Sequence, residues 1–249
     1  QLYEMSTSRL SLISSSLNFS VILIMLLFNG FSWVDNLARS VSDNQVLITL
    51  VFFGILVFAS ELLSVPIELI EIFIIEQRFG FNNTTGKIFI FDKIKSWLIT
   101  LFIGTILLLS IFWMYQNLHE NFWWVAWIFI SGISLFFSFF YSNLIVPLFN
   151  KQKPLEEGEL RSSIETLCTQ VGFKLQNVFV IDGSKRSTKA NAYFTGFGKK
   201  KRIVFYDTLI NTLNTSQITA VLAHELGHSM HTFHSDESND RLKVATNDG

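Results

Sequence analysis

The chain has 249 residues, of which 49% are hydrophobic, 15% aromatic and only 16% charged, and its formal net charge is −1. A soluble domain carries about 25% charge, so this composition excludes an ordinary soluble globule and points to a membrane protein. The near-zero net charge supplies no field to recruit nucleic acid, and no basic-aromatic RNA-binding signature is present. In chain order, the first residue is Gln1 rather than Met, so the sequence reads as a fragment and no signal peptide can be judged. Four uncharged stretches then reach the roughly 20 residues that a bilayer crossing needs, at about 14–34, 45–67, 96–118 and 121–147. Only His119 and Glu120 separate the last two, and Trp97, Trp113, Trp123, Trp124 and Trp127 gather near their ends as an aromatic belt would. Glu61, Glu68 and Glu71 share one helix face at the end of the second stretch and read as a solvated face where that helix leaves the bilayer; a second metal site is the competing reading.

Four crossings put the N-terminus, the 61–95 loop and the C-terminal region on one side. That side holds Arg9, Arg78, Lys87, Lys93, Lys95 and every later Lys and Arg, whereas the opposite loops hold only Arg39. The positive side is the cytosolic one. Residues 1–150 therefore form a transmembrane region and 151–234 a cytosol-facing module, with a polar, disorder-like tail over 235–249.

Within the module, Pro154–Gly158 reads as a turn and Leu160, Ile164, Leu167, Cys168 and Val171 repeat at helical spacing up to Gly172. Cys168, the single cysteine, is a buried apolar position on that helix; alone it excludes an internal disulfide framework and fits a reducing compartment. Val178–Ile181 is a short buried strand, Asp182–Ser184 a turn and Lys185–Lys189 a basic, flexible loop. Asn191–Gly196 reads as a strand with Arg202–Tyr206 as its hairpin partner, and Lys199–Arg202 as a solvated tip between them. Asn214 and Gln217 form a capping box at the start of the last helix.

That helix runs into His224-Glu225-Leu226-Gly227-His228. Histidines at i and i+4 lie on one helical face about 6 Å apart, and two neutral imidazoles so placed can share one Zn²⁺ at roughly 2.0–2.1 Å. Glu225 stands where a carboxylate can take a proton from the attacking water, which is the HExxH pattern of zinc metalloproteases. An exposed strand edge can hold an extended peptide by main-chain hydrogen bonds, and Asn191–Phe194 is the candidate strand; an ordinary hairpin core is the equal alternative. A catalytic zinc needs a third protein ligand. His234 stands six after His228, the spacing of the HExxHxxGxxH enzymes, but His231 occupies the place of that motif's Gly; Glu237 is the remaining carboxylate candidate.

The strings Glu76–Asn82, Pro147–Lys151, Gly183–Ser187, Asn191–Gly196 and His224–His228, in this order, resemble the integral-membrane zinc CaaX prenyl proteases of eukaryotes over about residues 10–228. The resemblance implies a mainly α, multi-pass membrane helical bundle with a small α+β cytosolic zinc-protease module. It implies an enzyme of the endoplasmic reticulum or inner nuclear membrane that removes the last three residues of prenylated CaaX proteins. It makes His224 and His228 the zinc ligands, Glu225 the general base, and Asn191, Ala192 and Tyr193 the strand that pairs with substrate. Membrane lipid and the prenylated protein are the expected partners. The family's third ligand is a Glu on a later helix, and its pattern after the pentad is not continued here. The chain therefore reads as a fragment, or a truncated or mis-spliced product, and a non-catalytic membrane homologue is the alternative function.

Overall fold

The computed structural model describes residues 1–173, 175–195, 201–223 and 226, with Lys201 described by its backbone alone. The described chain is mainly helical, with one small sheet, and it divides into two compact units, 1–135 and 136–249.

In the first unit, α1 (Leu2–Leu27) ends where Asn29 adopts the left-handed conformation, φ +54°, and a separate helix α2 (Gly30–Val41) follows. The apolar stretch 14–34 is thus divided in two. Asparagine is among the few side chains that tolerate this backbone, because its short amide can bond locally. Asn44 caps α3 (Gln45–Ile70) by accepting from the Val46 and Leu47 N–H groups. The last part of α3 widens into a π-helical turn, Glu71–Glu76. Beyond it, the Tyr3 ring sits edge-on to both Phe79 and Phe81 at 5.4 and 5.0 Å, and its hydroxyl donates to Glu76 at 3.3 Å. The Glu76–Asn82 string therefore forms an aromatic turn that pins the N-terminal helix. Thr85 caps α4 (Gly86–Leu118), so much of the expected 61–95 loop is helix. A 3₁₀ turn, His119–Asn121, leads into α5 (Phe122–Leu144), which crosses into the second unit. Three helical stretches among the described residues, Leu2–Leu27, Gln45–Glu76 and Gly86–Phe149, are long and apolar enough to cross a membrane, and the last runs through α4, the 3₁₀ turn, α5 and a further single helical turn, Val146–Phe149.

The second unit continues through a single turn of helix, α6 (Val146–Phe149), to β1 (Gln152–Pro154), α7 (Glu159–Gln170), β2 (Leu175–Ile181), β3 (Ala192–Thr195), β4 (Lys201–Tyr206) and α8 (Asp207–Thr212). Residues 215–223 form a further helix, α9. Gly172, at φ +70°, ends α7 and lets the Phe173 N–H turn back to the Cys168 carbonyl at 2.8 Å. Cys168 is 2% exposed, and burial pushes its thiol up to about 11. The four strands stand in the order β1-β2-β4-β3. β2 and β4 are parallel; β1 on β2 and β3 on β4 are antiparallel.

Side chains alternate across the sheet. Val178, Ile203 and Phe205 face a core shared with Ile164 and Cys168 of α7, Leu209 of α8, Ile218 and Leu222 of α9, and Leu226. Phe179, Val204, Tyr206 and Tyr193 lie on the other face. α9 begins with a complete capping box: Asn214 Oδ1 accepts from the Gln217 N–H at 2.9 Å, and Gln217 Oε1 accepts from the Asn214 N–H at 3.0 Å. Asn214→Ala removes one half of that box. A loss of about 1 kcal/mol is expected, read as a lowered midpoint in denaturant unfolding of the detergent-solubilised protein, with Gln217→Ala costing less.

Candidate functional site

Four of the five residues of the pentad, His224, Glu225, Gly227 and His228, lie outside the described residues, as do His234, Glu237 and the 235–249 tail. What the structure does describe is the support on which the pentad is mounted. Ile218, Leu222 and Leu226, at i, i+4 and i+8, are 2%, 3% and 0% exposed. They drive one stripe of the helix into the core beneath β4. Leu226 is itself the middle residue of the pentad, so the motif grows directly from this packed stripe.

β3 flanks β4 at the end of the sheet and has one strand neighbour among the described residues. Its register is Ala192↔Phe205, Tyr193↔Val204, Phe194↔Ile203 and Thr195↔Arg202. The Asn191 carbonyl accepts from the Tyr206 N–H at 3.0 Å, and the ladder alternates from there. Peptide groups of Tyr193 therefore turn to β4, whereas those of Ala192 and Phe194 turn to the open side. The Ala192 N–H is met there by its neighbour's side chain, Asn191 Oδ1, at 2.8 Å. The sequence nominated the strand Asn191–Phe194, and the resemblance singled out Asn191, Ala192 and Tyr193; the register distinguishes them, turning Ala192 and Phe194 to the open side and Tyr193 to β4.

Three polar ties join this module to the end of the membrane helix that precedes it. Tyr193 Oη lies 3.1 Å from Ser142 Oγ of α5, and Ser142 is 6% exposed. Burial is the main cause that raises the Tyr193 phenol above its ordinary pKa, and the Ser142 contact opposes it. Arg202 donates to Asn143 Oδ1 at 2.9 Å while its guanidinium lies over the Phe179 ring, 5.5 Å from the centroid. Arg186 forks onto Asn150 Oδ1 at 2.7 Å and the Phe149 carbonyl at 2.8 Å. Two expectations change here. Arg202 belongs to β4 and is held by these partners, not solvated at a hairpin tip; positions 199 and 200 of that tip lie outside the described residues. Arg186 fixes the loop that was read as flexible.

The turn before it is equally fixed. Asp207 accepts from the Ser184 N–H at 2.8 Å and from its hydroxyl at 2.5 Å. Gly183 stands so close to Tyr206 that a Cβ would fall 2.3 Å from its ring.

In the first unit, Glu61 and Glu68 are not a solvated face. Lys93 of α4 donates to Glu68 at 2.6 Å and to Glu61 at 3.2 Å, and Trp97 Nε1 donates to Glu61 at 3.0 Å. One ammonium thus stands between the two carboxylates where the competing reading set a metal. An apolar groove of about 470 Å³ between α3 and α4 ends at Glu61 and Trp97. Among the described residues no three His, Cys, Asp or Glu converge as a metal site.

Comparison with known proteins adds the following. A family model described as the CAAX prenyl protease N-terminal region, five membrane helices, matches residues 1–151, and one for peptidase family M48 matches residues 154–240. CAAX prenyl protease 1 of Saccharomyces cerevisiae is 36% identical over 237 residues, 91% of this chain and 52% of the yeast protein. The CAAX prenyl protease 1 homolog of Arabidopsis thaliana is 42% identical over 187 residues, 75% of this chain and 44% of the plant protein. The crystal structure of S. mikatae Ste24p superposes with a TM-score of 0.83 at 38% identity, covering 94% of this chain and 56% of that one. The chain spans about half the length of the curated relatives it matches.

The shared ammonium generates a prediction. Lys93→Met leaves two carboxylates without their cation and is expected to cost about 3 kcal/mol, read as a lowered thermal midpoint in detergent. The triple variant that adds Glu61→Gln and Glu68→Gln recovers most of that loss.

Proposed function

That the chain belongs to peptidase family M48 and carries the N-terminal membrane module of the CAAX prenyl proteases is the premise from which we propose its function: a zinc metalloendopeptidase that removes the C-terminal tripeptide of prenylated CaaX proteins. We place it in the endoplasmic reticulum or inner nuclear membrane, with residues 1–150 as its transmembrane region and 151–234 facing the cytosol as its protease module. The observation that carries the reading is the shared core. The helix that leads into the pentad and the strand that carries the open edge both pack on β4.

His224 and His228 would hold the metal. Were the helical period of 218, 222 and 226 to continue, positions 224 and 228 would fall away from that buried stripe and offer two imidazole donors at i and i+4 to one cation. The donor set fits zinc, whose catalytic sites take neutral imidazoles and one further protein ligand. His234 is the candidate within this chain for that third place. Zinc, when bound, supplies Lewis acidity toward the scissile carbonyl and the attacking water.

The remaining steps belong to the chain. The outward peptide groups of Ala192 and Phe194 pair with an extended substrate, and that substrate displaces Asn191 Oδ1 from the Ala192 N–H. Glu225 takes a proton from the attacking water and delivers it to the leaving nitrogen, so that one carboxyl serves both halves of the hydrolysis. Tyr193 faces Ser142 with its hydroxyl, so its contribution to substrate is made by the strand's position.

The test is a farnesylated CaaX peptide incubated with the purified, zinc-loaded protein and followed by mass spectrometry for loss of the tripeptide. Glu225→Gln is expected to keep one equivalent of zinc and to lower kcat by at least about 100-fold. His224→Ala and His228→Ala are expected to lose zinc on dialysis. Wild-type protein that holds zinc and leaves the peptide intact overturns the proposal; zinc lost in His234→Ala identifies the third ligand.

A further inference from the structure

Two positions on consecutive α5 residues meet two strands on the same face of the sheet. Ser142, 6% exposed, meets Tyr193 of β3 at 3.1 Å, and Asn143 receives Arg202 of β4 at 2.9 Å. Residues 193 and 204 are register partners, as are 195 and 202, so both contacts fall within one short stretch of the β3–β4 pair. The opposite face of that pair is committed to the core through Ile203 and Phe205. β3 itself is four residues long and has β4 as its one strand neighbour among the described residues. A short edge strand with one ladder of hydrogen bonds shifts or frays readily unless side chains hold it. Here the holding side chains come from the end of an apolar helix long enough to cross a membrane.

We infer that the Ser142–Tyr193 hydrogen bond, backed by Asn143–Arg202, is a positioning device that fixes the open edge of β3 at a set distance from the end of α5, and thereby sets which peptide bond of a membrane-anchored substrate is presented for cleavage. The inference rests on the proposed proteolytic function for its consequence, but not for its mechanical part. A lipid anchor fixes one end of the substrate relative to the bilayer. The edge strand then fixes where along the extended chain the backbone is gripped. If the strand keeps its distance, one bond is cut; if it slides by a residue, the pairing register and the bond presented change together. Tyr193 and Ser142 act through the strand and not on the reacting atoms, so they are positioning residues.

The experiment is a double-mutant cycle on Tyr193→Phe and Ser142→Ala in the zinc-loaded protein, with two readouts. Tyr193→Phe keeps the ring and removes only the hydroxyl, so folding is retained. Against the farnesylated peptide, each single variant is expected to raise KM about fivefold with kcat within twofold of wild type. The double variant is expected to be no worse than either single, with new products cut one residue away from the wild-type site. The second readout is amide hydrogen exchange of the segment 192–195 in detergent, which needs no activity. Exchange about fivefold faster, and equally so in the two singles and the double, supports the device. Multiplying effects in the double variant, a fall in kcat at unchanged KM, or unchanged exchange each overturn it. Should wild-type protein leave the peptide uncut, the proposed function fails by itself and the exchange measurement still decides the tie.

Discussion

Strand β4 is buried on both of its faces: Ile203, Val204 and Phe205 are each 1% exposed or less. Successive side chains of a strand point to opposite sides, so three consecutive buried residues require cover above and below. The helical layer of α7, α8 and α9 covers one side. The end of α5 reaches the other through Ser142 and Asn143. Three further elements meet on this strand. The helix stripe that runs into the HExxH pentad packs on it, the edge strand pairs with it, and the parallel strand β2 fixes it from the far side. Burial at roughly 25 cal/mol per Å² makes such a strand expensive to displace, so the groups mounted on it keep their separation.

Much of this was readable from the sequence because it is local. Short continuous apolar runs marked Val178–Ile181 and Arg202–Tyr206, and the Asn214 and Gln217 pair marked its own helix start. The HExxH string is itself a local signal, carried by spacing on one helix. What was not readable depends on partners distant in the chain. Nothing near Glu61 or Glu68 announces that Lys93, on the next helix, stands between them. The parallel pairing of β2 with β4, which leaves β3 rather than β4 at the sheet's end, is a matter of topology and not of composition. Arg202 closes a run of four basic residues, and nothing in that run announces its packing on Phe179 and Asn143. Short elements were also invisible: β1, α8 and the π-helical turn are too brief to show a period.

The two compact units use polar groups in different ways. In the first, a lysine, two glutamates and a tryptophan N–H satisfy one another beside an apolar groove between two long helices. Charges in such surroundings are tolerated when each has a partner, and separating them is costly. In the second, Arg161 pairs with Glu157 and Glu165, but the two arginines beside α5 and α6 reach neutral acceptors: an asparagine amide and a backbone carbonyl for Arg186, and another asparagine for Arg202. A guanidinium bonded to neutral acceptors keeps its charge while its planar fork fixes direction. The first arrangement balances charge beside apolar helices; the second orients the sheet at the end of an apolar helix.

The far margin of the sheet behaves differently from the one that β3 presents. β1 is three residues long and ends in Pro154, which has no N–H to offer, and Leu155 turns its own N–H inward to the Val178 carbonyl at 2.9 Å. Proline and brevity are the ordinary means by which natural sheets discourage stray pairing. The sheet is therefore polarised: one margin is blunted, and the other, among the described residues, turns the peptide groups of Ala192 and Phe194 outward. Such asymmetry denies copies of the chain the head-to-tail contact, β3 of one on β1 of the next, that would extend into an endless sheet.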